Sequence, residues 1–179
     1  MIVSFKKKIE KIEYKDKLVL GNHVIIGEGV EFDLQSPFFK TRVGNIVIGN
    51  DSKISSGCLL HCYGGEIKIG VNSFFGPYCV LYGHGNITIG DNCLIAMGCK
   101  IVAANHTVPP PGQLINQQED ERKPITIGND VWLGADVKVL AGVTIGDGAI
   151  IGAGSVVTKS IPANCYAIGV PARVVKERK

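Results

Sequence analysis

Between Ile125 and Val157 an aliphatic residue returns every six positions, at Ile127, Leu133, Val139, Ile145, Ile151 and Val157. Glycine follows at Gly128, Gly134, Gly146 and Gly152. The fourth position after each aliphatic is small or β-branched, as at Val131, Val137, Val143, Ala149, Ser155 and Ile161. A period of six fits neither the 3.6 of a helix nor the 2 of an ordinary strand, and it marks a β-solenoid wound from hexapeptides. A longer period lies over it. The tag aliphatic-x-Ile-Gly opens at Val24, Ile46, Ile67, Ile87, Ile125 and Val143, in steps of 22, 21, 20, 38 and 18 residues. Each tag is expected to open one coil of three short flat faces, in an all-β parallel solenoid.

The long step is one coil with an insertion, which must leave the solenoid as a loop from Thr107 to Lys123. It holds Pro109-Pro110-Pro111-Gly112 and the polar run Gln117 to Lys123, and it reads as a long loop without secondary structure, a class that is often functional. His106 stands at its root. Before the coils, Ile2, Phe5, Ile9 and Ile12 recur at helical spacing among Lys6, Lys7, Lys8 and Lys11, which predicts a short amphipathic helix from Ile2 to Tyr14. Its expected role is to cover the open first coil; the alternative is peripheral contact with an anionic membrane surface. Glu31 to Arg42, with Pro37 and Phe38-Phe39, breaks the phase and reads as a protruding bend. The division expected is an N-terminal capping segment at 1–20, a β-helix at 21–179, and a C-terminal cap at 163–179.

Composition fits a narrow interior, since 45% of residues are hydrophobic but only 7% aromatic. The net charge of +3, with acids and bases mixed, leaves no nucleic-acid footprint. No apolar run approaches a membrane span and no signal peptide is evident, so the expected location is cytoplasmic. Cys58, Cys79, Cys93 and Cys99 occupy the phase that Ser52, Ser73 and Val131 fill, as small buried side chains do, while Cys62 and Cys165 are read as off that phase. With no Cys-x-x-Cys pair, the expectation is structural cysteine and no metal.

The candidate chemistry gathers at one corner. The third face of successive coils ends in His61-Cys62-Tyr63-Gly64-Gly65, then Tyr82-Gly83-His84-Gly85-Asn86, then Asn105-His106. The three histidines are one, three and five positions past the aliphatic that opens their face, out of register with one another. A metal needs nitrogens converging at about 2.1 Å, so a cleft walled by the loop is the better reading. Trp132, five after Ile127, is placed at an outward-facing corner, as a ligand or subunit contact.

From about Ile67 onward the chain resembles the hexapeptide-repeat acetyltransferases, in particular the galactoside and maltose O-acetyltransferases and the sugar acetyltransferases of surface-polysaccharide biosynthesis. The likeness rests on Pro124-Ile-Thr-Ile-Gly-Asn-Asp-Val-Trp132-Leu-Gly-Ala, Gly142-Val-Thr-Ile-Gly, Ile151-Gly-Ala-Gly-Ser-Val-Val-Thr-Lys159 and Gly169-Val-Pro-Ala-Arg173. It implies a left-handed parallel β-helix, a homotrimer with sites between subunits, and acetyl-CoA as donor. It also implies His106 as catalytic base and CoA contacts at Trp132, Ala135, Ala153, Thr158, Lys159 and Arg173, to which the cation Lys176 is added. On the acceptor side the chain departs from the pattern. Ala135 replaces a serine, Gly76 an asparagine and His84 an aspartate, and the longer N-terminal helical segment of the nearest relatives is missing. His84, Tyr82, Tyr63 and Asn105 are taken as the acceptor-binding set.

The expected activity is acetyl transfer from acetyl-CoA to a hydroxyl of a sugar or glycan precursor by direct attack. A neutral imidazole, with a reference pKa of about 6.5, suits the removal of that proton near neutral pH. Three alternatives stand beside it: N-acetylation of a nucleotide-linked amino sugar, a zinc-dependent hydratase on a similar β-helix, and a non-catalytic trimeric scaffold.

Overall fold

The computed structural model describes residues 15–35 and 42–179; the expected helix at Ile2–Tyr14, together with Pro37, Phe38 and Phe39, lies outside them. The chain winds into a parallel β-helix with three flat faces. The first face stacks Leu18–Leu20, Asn45–Ile48, Glu66–Ile69, Ile87–Ile89, Ile125–Ile127 and Thr144–Ile145. The third face stacks Glu31–Asp33, Leu59–His61, Val80–Tyr82, Lys100–Val102, Lys138–Val139 and Val156–Val157. The second face lies between them and is extended at its C-terminal end by a hairpin of Cys165–Gly169 and Ala172–Glu177.

The hexapeptide follows from what each coil must bury. Ile127, Leu133, Val139, Ile145, Ile151 and Val157 are at most 1% exposed, and the small residues four positions later close the interior at each corner. Burial stabilises by about 1.5–3 kcal/mol per aliphatic side chain of this size. Corners after the first face turn through left-handed residues at Asp51, Asn72, Asn92 and Asp130, types that tolerate positive φ. Side chains of the preceding residues tie coil to coil: Asp91 Oδ1 accepts from Val71 N at 2.8 Å, Asn129 Oδ1 from Asp91 N at 2.9 Å, and Asp147 Oδ1 from Asn129 N at 2.7 Å.

Several expectations are revised. The first coil opens at Leu18, paired with Ile46, and not at Val24, whose tag lies on the second face, where Ile26 pairs with Ile54. Leu20-Gly21 does the work of Ile-Gly there, which hid the true start. Glu31–Asp33 is a regular third-face strand against Leu59–His61, so the irregularity begins only beyond it. Cys165 is in phase after all, since the pairing of Tyr166 with Ile150 sets it beside Ala149. All six cysteines are buried free thiols. Cys58, Cys79 and Cys99 donate to carbonyls of the next coil at 3.1–3.2 Å, as Ser52 and Ser73 do through Oγ at 2.9 and 3.1 Å. No helix among the described residues is long and apolar enough to cross a membrane.

Candidate active site

The insertion after Val102 is not an unstructured loop. Ala104–His106 and Asp120–Arg122 pair as an antiparallel ribbon, with Ala104 opposite Arg122, Asn105 opposite Glu121 and His106 opposite Asp120. Thr107 Oγ1 continues the ladder by donating to Glu119 O at 2.7 Å, and a short 3-10 turn spans Ile115–Gln117. The ribbon is rooted by Lys123 N donating to Ala103 O at 3.1 Å. Gly85 of the coil below makes this seat available: a Cβ there would lie 2.7 Å from Lys123 N and nearer still to Ala103 O.

Between ribbon and third face lies a groove of about 440 Å³, lined by Val80, Tyr82, His84, Lys100, Val102, Ala104, Asn105, His106 and Asp120. Opposed residues of an antiparallel pair project to the same side, so His106 and Asp120 meet directly. His106 Nδ1 is 2.8 Å from Asp120 Oδ1, and His84 Nδ1 is 3.4 Å from Asp120 Oδ2. The two imidazoles differ sharply in access, with side chains 75% and 7% exposed respectively. Burial pushes the His84 pKa down, Arg122 and Arg42 add to that, and Asp120 opposes it. His84 is therefore a neutral imidazole near pH 7. Asp120 engages the Nδ1 side of the His106 ring, which leaves Nε2 as the nitrogen the carboxylate does not touch, on a side chain that lines the groove.

Of the expected acceptor set, His84 and Tyr82 line the groove beside His106. Asn105 also borders it, although strand alternation turns its side chain away from that of His106. Tyr63 packs edge-on against Tyr82 with ring centroids 4.6 Å apart, and its hydroxyl meets His61 Nδ1 at 3.0 Å. Burial raises both tyrosines, Tyr82 to about 12. His61 thus turns to a tyrosine while His84 and His106 share a carboxylate, and among the described residues no three His, Cys, Asp or Glu side chains are grouped as metal ligands.

The donor set is not brought together within one chain. Trp132 lies on the flat second face, 50% exposed, and not at a corner. In the register of that face it lines up with Phe74, Leu94 and Ile150, an outward apolar stripe. Ala135 and Ala153 adjoin at the corner between second and third faces, the edge of the third face opposite the one from which the ribbon rises. Thr158 and Lys159 are exposed two coils beyond the ribbon. Arg173 and Lys176 sit on the C-terminal hairpin, where Lys176 Nζ lies 4.4 Å from the Tyr166 ring centre. Its neighbour Arg178 clamps the stack by donating to Asp130 Oδ2 at 2.7 Å.

Asp120 is the groove residue that sequence reasoning missed. Its only signal was indirect: an exposed histidine base wants a third group to orient it, and the far end of the same insertion carries the acids.

Residues 124–159 match the family model described as bacterial transferase hexapeptide (six repeats), and residues 66–103 match the hexapeptide repeat of succinyl-transferase. Galactoside O-acetyltransferase of Escherichia coli (strain K12) is 45% identical over 115 residues, covering 64% of this chain and 56% of that enzyme. The chain spans about half the length of the curated relatives it matches. Among solved structures, a galactoside acetyltransferase in complex with coenzyme A is 30% identical, with a TM-score of 0.67 over 100% of this chain and 72% of that one. A mutant of AntD, an N-acyltransferase from Bacillus cereus, in complex with dTDP-4-amino-4,6-dideoxyglucose and coenzyme A, is 26% identical. Its TM-score is 0.77 over 97% of this chain and 89% of that one.

Proposed function

The chain belongs to the hexapeptide-repeat acetyltransferases, and from that premise we propose that it transfers the acetyl group of acetyl-CoA to a hydroxyl of a sugar or glycan precursor, with His106 as general base. The observation that carries this reading is the 2.8 Å contact between His106 Nδ1 and Asp120 Oδ1, on an exposed ring that lines the groove. A sugar hydroxyl is a weak nucleophile until its proton is taken, and Nε2 takes it. Asp120 stabilises the imidazolium that forms, and His106 returns the proton to the departing thiolate. Acetyl-CoA supplies a carbonyl already activated as a thioester, so none of the buried thiols is needed as a nucleophile. The backbone N–H of Ala135, which no acceptor among the described residues takes, is suited to the oxygen that gains charge.

Trp132, Ala135, Ala153, Thr158, Lys159, Arg173 and Lys176 would hold the donor. Arg173 and the lysines are cations for its phosphates, and Ala135 and Ala153 are small side chains that would let the donor chain approach the corner closely. Since Ala135 and the ribbon stand at opposite edges of one face, the reading requires a homotrimer in which a neighbouring copy brings its donor residues to this groove. The apolar stripe through Phe74, Leu94 and Trp132 is the surface available for that packing. An amine acceptor on a nucleotide-linked sugar is the second reading, supported by the N-acyltransferase structure whose complex holds such a sugar. Purified protein and acetyl-CoA, assayed for released thiol against free sugars, UDP-linked and dTDP-linked sugars, separates the two. His106→Ala should lower kcat on the order of 10²–10⁴ with coenzyme A affinity intact; a variant that keeps most of its turnover overturns the assignment.

A further inference from the structure

We infer that His84 is a positioning residue that acts on the base through Asp120, and not a contact of the acceptor. The inference rests on the acetyl-transfer reading above and deepens it. A carboxylate at the end of a short side chain turns about a broad torsion, so one hydrogen bond to His106 leaves its plane free to swing. Asp120 is instead bracketed. Oδ1 faces His106 Nδ1 at 2.8 Å and Oδ2 faces His84 Nδ1 at 3.4 Å, so the two oxygens are committed to two different rings.

The placement of His84 fits this use. It follows the strand that ends at Tyr82, paired with Val102 of the next coil, and lines the groove together with Ala104. Its side chain is 7% exposed, which leaves little surface for an acceptor, whereas that of His106 is 75% exposed. The charged and titratable groups around it are Asp120, Arg122 from the same ribbon strand and Arg42. Tyr82 of the same coil and Tyr63 and Asp33 of the preceding coils stand behind, where Asp120 also acts on Tyr82. Burial, and after it the guanidiniums of Arg122 and Arg42, hold the ring's pKa below its ordinary value and so favour the neutral form. With its Nδ1 edge 3.4 Å from Oδ2, a neutral His84 stands against the carboxylate without cancelling the charge Asp120 offers the imidazolium of His106.

The test uses the full-length protein and two nucleophiles. Thiol release from acetyl-CoA is measured with the panel sugar of highest turnover and with water alone, for wild type, His84→Ala, His84→Asn, Asp120→Asn and the His84→Ala/Asp120→Asn double variant. Melting temperature and coenzyme A affinity confirm folding; His84→Asn, which keeps a donor at nearly the same place, covers the case in which alanine unfolds the corner. The expected result is a fall of about 5–10-fold in kcat for His84→Ala with either nucleophile, acceptor KM changing less than about twofold. His84→Asn should recover most of the loss. In the Asp120→Asn background His84→Ala should add less than about twofold, because the partner through which it acts is gone. A His84→Ala enzyme whose acceptor KM rises while the water reaction is unchanged overturns the inference, as does a loss that persists undiminished without the Asp120 carboxylate. Retained activity in His106→Ala would instead overturn the acetyl-transfer reading itself, so the two failures are distinguishable.

Discussion

Gly85→Ala tests whether the ribbon's seat sets the geometry of the site. The added Cβ would meet Ala103 O, Lys123 N at 2.7 Å and Lys123 O at 3.0 Å, all backbone atoms that no side-chain rotation can move aside. The clash falls on the hydrogen bond that roots the ribbon, Lys123 N to Ala103 O at 3.1 Å. Overpacking of this kind costs typically 1–3 kcal/mol, which in a domain of this size lowers Tm by roughly 2–12 °C. The larger effect is expected in the chemistry. Asp120 lies three residues before Lys123 on the strand that must lift, so His106 and its carboxylate shift against the third face. A displacement near 1 Å is enough to cost on the order of 10²-fold in kcat. Acetyl-CoA KM should change little, because none of the donor residues touches this root. The assay is thiol release under saturating donor, with Tm by calorimetry alongside. Wild-type kcat in a folded Gly85→Ala protein would refute the reasoning, since the ribbon could then be moved without consequence.

Because burial, aided by Arg122 and Arg42, holds the His84 pKa below its ordinary value, the unfolded chain binds that proton first as pH falls. The stability His84 contributes is therefore present above about pH 6.5 and is lost as pH falls from there through the folded value. Tm measured from pH 8 to pH 5 should decline towards the acid end, and His84→Asn should flatten the decline; an unchanged slope refutes the assignment. Lys159→Ala and Arg173→Ala should each raise KM for acetyl-CoA roughly 3–10-fold with a smaller effect on kcat, the mark of lost uniform binding. If neither KM moves, both are ordinary solvated charges. Light scattering at micromolar concentration should give a trimer mass, and Trp132→Asp should lower it; a monomer mass in the unaltered protein refutes the shared site.

The coils were legible because burial repeats. Each face must send one aliphatic inward, and the interior is too narrow to accept much variation, so Ile127 or Leu133 announces its own place. The start of the solenoid was obscured by Leu20-Gly21, where leucine fills the slot that isoleucine fills in later coils. The ribbon was hidden for a different reason. Its outer strand is polar throughout, so Asp120, Glu121 and Arg122 have no hydrophobic period and look like solvent-facing loop. His106 could be found from motif and position, but Asp120 belongs to it through a chain reversal that no local pattern records. Trp132 and Ala135 were identifiable one by one. Their separation from His106 across a face is a property of winding, which spacing along the chain does not express.

His106 and Asp120 oppose one another on the last backbone rung before the ribbon opens, so the turn beyond them joins the proposed catalytic pair at its two ends. That makes 108–118 an exchangeable cassette. Its length and side chains, including the exposed Val108, Leu114 and Ile115, can be altered to suit a different acceptor or neighbour without touching the proposed proton-transfer pair.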